Sequence, residues 1–346
     1  MAHAEVWLDA LTPKQAHIFA AMARRFLEEG FHVLLTVRDY DYSIDVARSW
    51  GIEPLVVGRY GGASLDSKLE SDAERATKLA KLLSKKRICT AIMYPSPSGA
   101  RVAYGLAIPL VILSDSPHSV YVHRLTLPLA DFLVHSAFIP LNLFKRYLLN
   151  TYTKHLTFRG FDEVEYLGPY QPSQELIESL GLEPYGYIVV RPPEYKAAYY
   201  RGYRKPKIEE IVLRLTEEGY TVVYLPRYPE QKRLVESVKN VLVPNEPLPG
   251  ADLVAYAKAV ITGGASMARE AALLGTPAAT LYRQKLAAVD EAVKKLGAPL
   301  HYTPTDKELE EFVDNLLDGK ISRRTPLANK LKRPSDTIVG IVADNC

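Results

Sequence analysis

The chain has 346 residues, enough for two ordinary domains with real cores. Hydrophobic residues make up 47% and charged residues 24%, and a net charge of +3 is too small to argue for nucleic acid or an anionic membrane as partner. No apolar run is long enough for a transmembrane segment, and no basic-then-apolar leader precedes the first apolar residues, so a cytoplasmic location is expected.

The first strand is expected over Glu5–Asp9 and runs into Thr12-Pro13-Lys14-Gln15. Thr12 is a cap type and Pro13 suits a first helical position, so a helix follows over Gln15–Glu29. Asp9 ends the strand, where it either faces a ligand or merely caps and pairs with Lys14; His17, one turn into the helix, is either near that edge or packed. Strands are further expected over Phe31–Val37 and Pro54–Val57. The turn Gly61-Gly62-Ala63-Ser64, flanked by Arg59 and Lys68, then leads into a helix over Leu65–Lys85. That turn reads either as a contact for an anionic acceptor or as a plain solvated loop.

The next strand, Ile88–Met93, ends in Tyr94-Pro95-Ser96-Pro97-Ser98-Gly99-Ala100-Arg101. Ser96 and Ser98 are cap types for a helix over Gly99–Ala107, whereas Arg101 in the first turn opposes the helix dipole and points to a role in binding or ion pairing. The strand Pro109–Ser114 delivers Asp115-Ser116-Pro117-His118, an acid and a histidine on one strand-end loop, suited to general-base chemistry. Strands over Asp131–His135 and His155–Phe158 follow, and Tyr166 to Pro172 reads as a linker.

Alternation then restarts. Strands are expected over Tyr187–Arg191, Tyr220–Leu225, Val241–Pro244, Ala259–Thr262 and Ala278–Tyr282, with helices over Lys207–Glu218, Glu230–Val238, Ser266–Leu274, Lys285–Leu296 and Asp306–Leu317. Strands alternating with helices imply parallel sheets. The reading is therefore α/β, with two doubly wound domains over residues 1–167 and 173–333 and a final helix over 334–346 returning to the first. The cleft between two such domains is the default site.

Thr262-Gly263-Gly264-Ala265-Ser266 opens a helix after an apolar strand, and its glycines let a ligand approach the backbone while the first helical turn offers N–H groups to a phosphate. Arg191 and Arg227 follow strands at the same sheet edge and suit bidentate phosphate contacts. Glu270 lies six residues beyond Gly264, placed for a sugar hydroxyl. Cys89 in an apolar strand and Cys346 at the chain end are too few for a metal cluster and are expected not to pair. Scarce Gln and Asn, with 22 tyrosines and 24 prolines, are compatible with a thermophilic source.

The run from Gly264 through Glu270 to Gly275 and Pro277 resembles the nucleotide-sugar signature of GT-B-fold proteins, including UDP-N-acetylglucosamine 2-epimerases and the transferase that makes lipid II. That resemblance implies phosphate contacts at Gly263, Gly264, Ala265 and Ser266 and ribose contact at Glu270. Nearly the whole chain is similar to an uncharacterised, largely archaeal GT-B-like family. The similarity lies in Thr-Pro-Lys-Gln at Thr12, Ser-Pro-x-x-Ala-Arg at Ser96–Arg101, Asp-Ser-Pro-His at Asp115–His118 and Arg-Pro-Pro at Arg191. Arg269 stands where the epimerase pattern has the first acid of a Glu-Glu pair, which argues against epimerisation at C2.

The expected function is a glycosyltransferase-like one. A nucleotide diphosphate-sugar, with UDP-sugar favoured, binds the second domain with Val243 to Pro247 near the base. Arg191, Arg227 and helix N-termini steady the leaving diphosphate, while Asp9, Asp115 or His118 takes the acceptor proton. Gly61, Gly62, Ser96 and Arg101 contribute on the acceptor side. No cofactor or metal is expected, and the acceptor and oligomeric state are not specified. The alternatives are an epimerase or hydrolase of the same fold, with several acids around one sugar, and a non-catalytic nucleotide-sugar binder.

Overall fold

The computed structural model describes residues 4–62, 64–149, 152–195, 206–246, 248–283 and 285–346. They fall into two compact units, Met1–Gly168 with Leu331–Cys346, and Pro169–Lys330.

Unit 1 is built on seven parallel strands: β1 Glu5–Ala10, β2 His32–Asp39, β3 Leu55–Arg59, β4 Ile88–Met93, β5 Leu110–Leu113, β6 Phe132–Ser136 and β7 Lys154–Phe158. Its helices are α1 Pro13–Glu28, α2 Ser43–Ser49, α3 Leu65–Leu83, α4 Pro97–Gly105, α5 Val120–Thr126 and α6 Val164–Leu167. The sheet order β3-β2-β1-β4-β5-β6-β7 reverses direction between β1 and β4. Val6, Trp7 and Leu8 of β1 and Ala91, Ile92 and Met93 of β4 are buried, as helices on both faces of a parallel sheet require. Thr12 caps α1 by accepting from Gln15 N, with Pro13 inside the first turn, as the sequence predicts.

Unit 2 repeats the plan with β8 Tyr187–Arg191, β9 Thr221–Tyr224, β10 Val241–Leu242, β11 Ala259–Thr262, β12 Ala278–Thr280 and β13 Leu300–Tyr302. Its helices are α7 Glu175–Ser179, α8 Ile208–Glu217, α9 Pro229–Arg233, α10 Gly250–Ala255, α11 Ala265–Leu273, α12 Ala288–Lys295 and α13 Asp306–Leu317. Its order is β10-β9-β8-β11-β12-β13, with the reversal between β8 and β11. One core joins Ile188 and Val190 of β8 to Ile211 and Leu215 of α8 and to Phe312 and Leu316 of α13.

The last helix, α14 Pro334–Asn345, belongs to unit 1. Its start is anchored twice: Ser335 N donates to the buried Glu165 at 2.9 Å, and Arg25 Nη1 reaches Asp336 at 2.5 Å. Its end corrects an expectation. Cys89 and Cys346 form a disulfide, with Cα atoms 5.1 Å apart. The pairing depends on α14 folding back onto the sheet, so 257 residues of separation hide it from a sequence reading.

Candidate functional site

In unit 2 the strand reversal sets Arg191 directly opposite Thr262, and Gly263 N donates to Arg191 O at 2.8 Å. Crevices of this kind, beyond the carboxyl ends of strands, are where ligands bind doubly wound sheets. The two glycines there differ. A Cβ on Gly263 would lie 2.2 Å from Pro193 Cα, so this glycine is demanded by the close passage of Arg191-Pro192-Pro193. A Cβ on Gly264 would meet nothing nearer than Arg227 Nη2, at 3.5 Å. Gly264 is the N-cap of α11, and no side chain caps that helix. Ala265 and Ser266, half-buried, open it.

Arg227 is held toward this turn. Gln231 Oε1 accepts from the backbone N–H groups of Arg227 and Tyr228 at 2.8 and 3.2 Å, while its Nε2 donates to Pro193 O at 3.1 Å. Arg227 Nε donates to Pro192 O at 3.3 Å, and its Nη1 lies 3.8 Å from Glu194. A guanidinium beside a helix start without a side-chain cap is an arrangement that accepts an anion. Arg191 and Glu270 are half-buried at the same edge and on the same helix. Arg269 points the other way: it is buried in an ion pair with Asp290 of α12, 2.7 Å apart, which ties α11 to its neighbour. Val243 to Glu246 follow β10, and Pro247 lies outside the described residues.

In unit 1 the expectation for Asp9 meets a different finding. Asp9 is fully buried, and Arg75 of α3 grips both its oxygens, Nη2 to Oδ1 at 2.5 Å and Nη1 to Oδ2 at 3.0 Å. Thr36 and Ser96 also donate to it. A carboxylate so enclosed is a strand-end lock, with no lone pair directed to solvent for an acceptor's proton. Ser96 is buried too, accepting from Gly99 N as the cap of α4, while Arg101 is exposed and forms no ion pair among the described residues. Gly61 packs on the start of α3, where a Cβ would sit 2.5 Å from Ser67 O, and Gly62 takes φ +76°. Both glycines thus have conformational reasons; Ala63 lies outside the described residues.

Asp115 is buried, with Ser116 Oγ 2.6 Å from Oδ1 and Lys14 Nζ 2.6 Å from Oδ2. Lys14 also reaches Glu163 at 3.0 Å and lies over the Tyr94 ring, 5.9 Å from its centroid. Tyr94 donates to Asp162. The cluster thus gathers residues following β1, β4, β5 and β7 at one edge. Burial, with Asp115 and Glu163 nearby, pushes the Asp162 carboxyl up to about 8 against the pull of Lys14. Burial and Asp162 likewise push the Tyr94 hydroxyl far up, so it stays a donor. Behind Asp115, His123 is within 2.7 Å of Ser119 O through Nδ1 and 2.9 Å of Ser114 Oγ through Nε2. Nδ1 therefore carries the proton, and Ser114 donates to Nε2. His118 is exposed next to this loop. His17 is packed: it stacks on Tyr166 at 5.1 Å, accepts from Trp50 Nε1, and burial pulls it down to about 4.

Lys14, Tyr94, Asp162 and Glu163 are absent from the sequence-derived candidates. Lys14 carried a usable signal, a cation in a first helical turn where the dipole disfavours it. An Asp-x-Asp tripeptide, Asp39-Tyr40-Asp41, closes β2, with both acids exposed. Among the described residues no group of three or more His, Cys, Asp and Glu is disposed to hold a metal, and no helix is long and apolar enough to cross a membrane.

Residues 4–346 match a family described as a protein of unknown function, DUF354. The chain belongs to DUF354. An uncharacterised protein of Methanocaldococcus jannaschii is 29% identical over 328 residues, covering 93% of this chain and 94% of that one. The UDP-GlcNAc 2-epimerase of the same organism, solved in complex with UDP-GlcNAc and UDP, superposes with a TM-score of 0.69 at 14% identity, over 98% of this chain and 99% of the other. The glycosyltransferase of kitacinnamycin reaches 0.59 at 12% identity, over 99% and 96%. With its two parallel sheets of seven and six strands, the DUF354 fold is GT-B-like.

Proposed function

We propose that this protein binds a nucleotide diphosphate-sugar, a UDP-sugar being favoured, and transfers the sugar to an acceptor without requiring a metal. The observation that carries the reading is the placement of Arg227 Nη2 beside Gly264 at the start of α11, with Arg191 on the adjoining strand end. The diphosphate accepts from the first-turn N–H groups of α11 and from the two guanidinium forks, and Glu270 accepts from ribose hydroxyls. As the bond from sugar to phosphate breaks, charge builds on the departing diphosphate where those donors are already oriented. In unit 1, Asp115, ion-paired with Lys14, takes the acceptor proton, with the exposed His118 as the second base candidate. Fold likeness to an epimerase solved with UDP-GlcNAc and UDP supports the donor class.

A second reading, a nucleotide-sugar epimerase or hydrolase, is favoured by one observation. Three carboxyl groups, those of Asp115, Asp162 and Glu163, surround Lys14 and Tyr94, which supplies an acid and a base in one place. Calorimetric titration with UDP and UDP-sugars, followed by product analysis, separates the readings. Transfer yields UDP and glycosylated acceptor in equal amounts. Epimerisation yields a new UDP-sugar without free UDP, and hydrolysis yields UDP without an acceptor. If no nucleotide diphosphate binds, both readings fail.

A further inference from the structure

Unit 2 has a second basic region, at the opposite edge of its sheet from Arg191, Arg227 and Gly264. A cavity of about 350 Å³ opens there around the entry to β13, lined by Lys294, Gly297, His301, Lys320 and Arg324 together with apolar and serine groups. No carboxylate lines it. The basic side chains come from three segments: the last turn of α12, β13 itself, and the stretch beyond α13. The helix dipole accounts for Lys294 at the end of α12, and Arg324 Nη1 donates to Gly297 O at 3.3 Å just past it. Neither reason reaches His301 or Lys320. All three cations are exposed; Lys320 is paired with Asp318, while Lys294 and Arg324 form no ion pair among the described residues.

His301 reports the field inside the cavity. Its ring packs on Phe312, with centroids 5.1 Å apart, and neither ring nitrogen has a hydrogen-bond partner among the described residues. Burial first, and then Lys294 and Arg324, pull it below its ordinary value. A half-buried imidazole with unused nitrogens, beside the exposed Lys294 and Arg324 that no ion pair occupies among the described residues, offers an anion a hydrogen bond and two charge contacts in one place.

We propose that this cavity binds a phosphate-bearing small molecule, gripped by Lys294, Arg324 and Lys320 and hydrogen-bonded by His301. The anion supplies a negative charge beside His301, which takes up a proton as it binds. For an anion of fixed charge, binding therefore strengthens as pH falls through the ordinary histidine range, and it weakens with salt. The site is separate from the nucleotide-sugar edge, so it stands whether or not that reading holds.

Inorganic pyrophosphate is the probe, and the histidine resonances of the full-length protein in NMR are the readout, because pyrophosphate at Arg191 and Arg227 leaves His301 untouched. Millimolar pyrophosphate should shift the His301 signals and raise its titration midpoint, and sulfate, whose charge is constant between pH 5.5 and pH 8, should bind roughly tenfold tighter at the lower pH. K294A/R324A should lose the shift, H301Q should bind sulfate without the pH dependence, and R191A/R227A should leave the shift intact. A His301 signal that ignores pyrophosphate, or a shift that survives in K294A/R324A, overturns the proposal.

Discussion

Arg75, in the middle of α3, closes a two-pronged ion pair on Asp9 at the end of β1, with both side chains essentially without solvent. The guanidinium also donates to Val57 O, and a Cβ on Gly58 would sit 2.8 Å from Arg75 Cγ, so the surrounding chain is shaped around it. Removing one partner leaves a buried charge uncompensated. R75M should lower the stability of unit 1 by about 3–5 kcal/mol in urea unfolding, and D9N/R75M should recover part of the loss. An R75M protein as stable as the parent would refute the lock.

Asp162 makes a prediction about pH. Its folded value, about 8, lies above the ordinary carboxylate range, so between pH 4 and pH 8 the native state holds a proton that the unfolded chain has released. The contribution of Asp162 to stability therefore falls as pH rises through that window and levels off above it, by about 1.4 kcal/mol per pH unit for one full proton, whereas buried His17, at about 4, contributes the opposite slope below its ordinary value. D162N should therefore gain stability relative to the parent as pH rises, measured by denaturant unfolding at pH 5, 6, 7 and 8. Equal slopes in the two proteins would show that Asp162 titrates normally.

The paired glycines of unit 2 separate packing from binding. G263A drives a methyl into Pro193 and should destabilise the protein whether or not ligand is present. G264A has room, so it should fold normally while weakening UDP binding by crowding the approach beside Arg227. R227A should weaken UDP binding by roughly 10–100-fold, the range for losing a charge-assisted contact to phosphate. Thermal unfolding with and without UDP checks all three.

Arg269 gives a test by restoration. R269E supplies the acid that the epimerase pattern carries at this position, yet it sets that acid against the buried Asp290. The variant should lose about 3–5 kcal/mol in denaturant unfolding, and R269E/D290R should regain much of it. A stable R269E would mean that the pair does not hold α11.

The strands that position both edges are readable because they are mostly apolar: Ile88–Met93, Tyr187–Arg191 and Ala259–Thr262 end where the alternation places them. Leu300–Tyr302 is not, since three residues including a histidine and a tyrosine give no period to detect. Helix α9 stops at Arg233, short of the expected Val238, and α2 and α5, of seven residues each, are too short for a helical stripe. Arg191, Arg227 and the glycine turn could be placed at one edge from topology alone. The rest of the candidate site could not. Nothing local tells Asp9 to choose Arg75, 66 residues away, over the nearby Lys14, which turns instead to Asp115 and Glu163. Such pairings are decided by which strand ends the sheet order brings side by side, and a single sequence carries that only indirectly.

The disulfide from Cys89 to Cys346 has a topological result. Every residue of unit 2 lies within the covalent loop it closes, so unit 2 hangs from unit 1 by both its ends. A protease that cuts once anywhere in unit 2 therefore yields two fragments that still migrate as one species until a reducing agent is added. The severed protein keeps α14 bonded to β4, and the parts of unit 1 on either side of the insertion cannot drift apart.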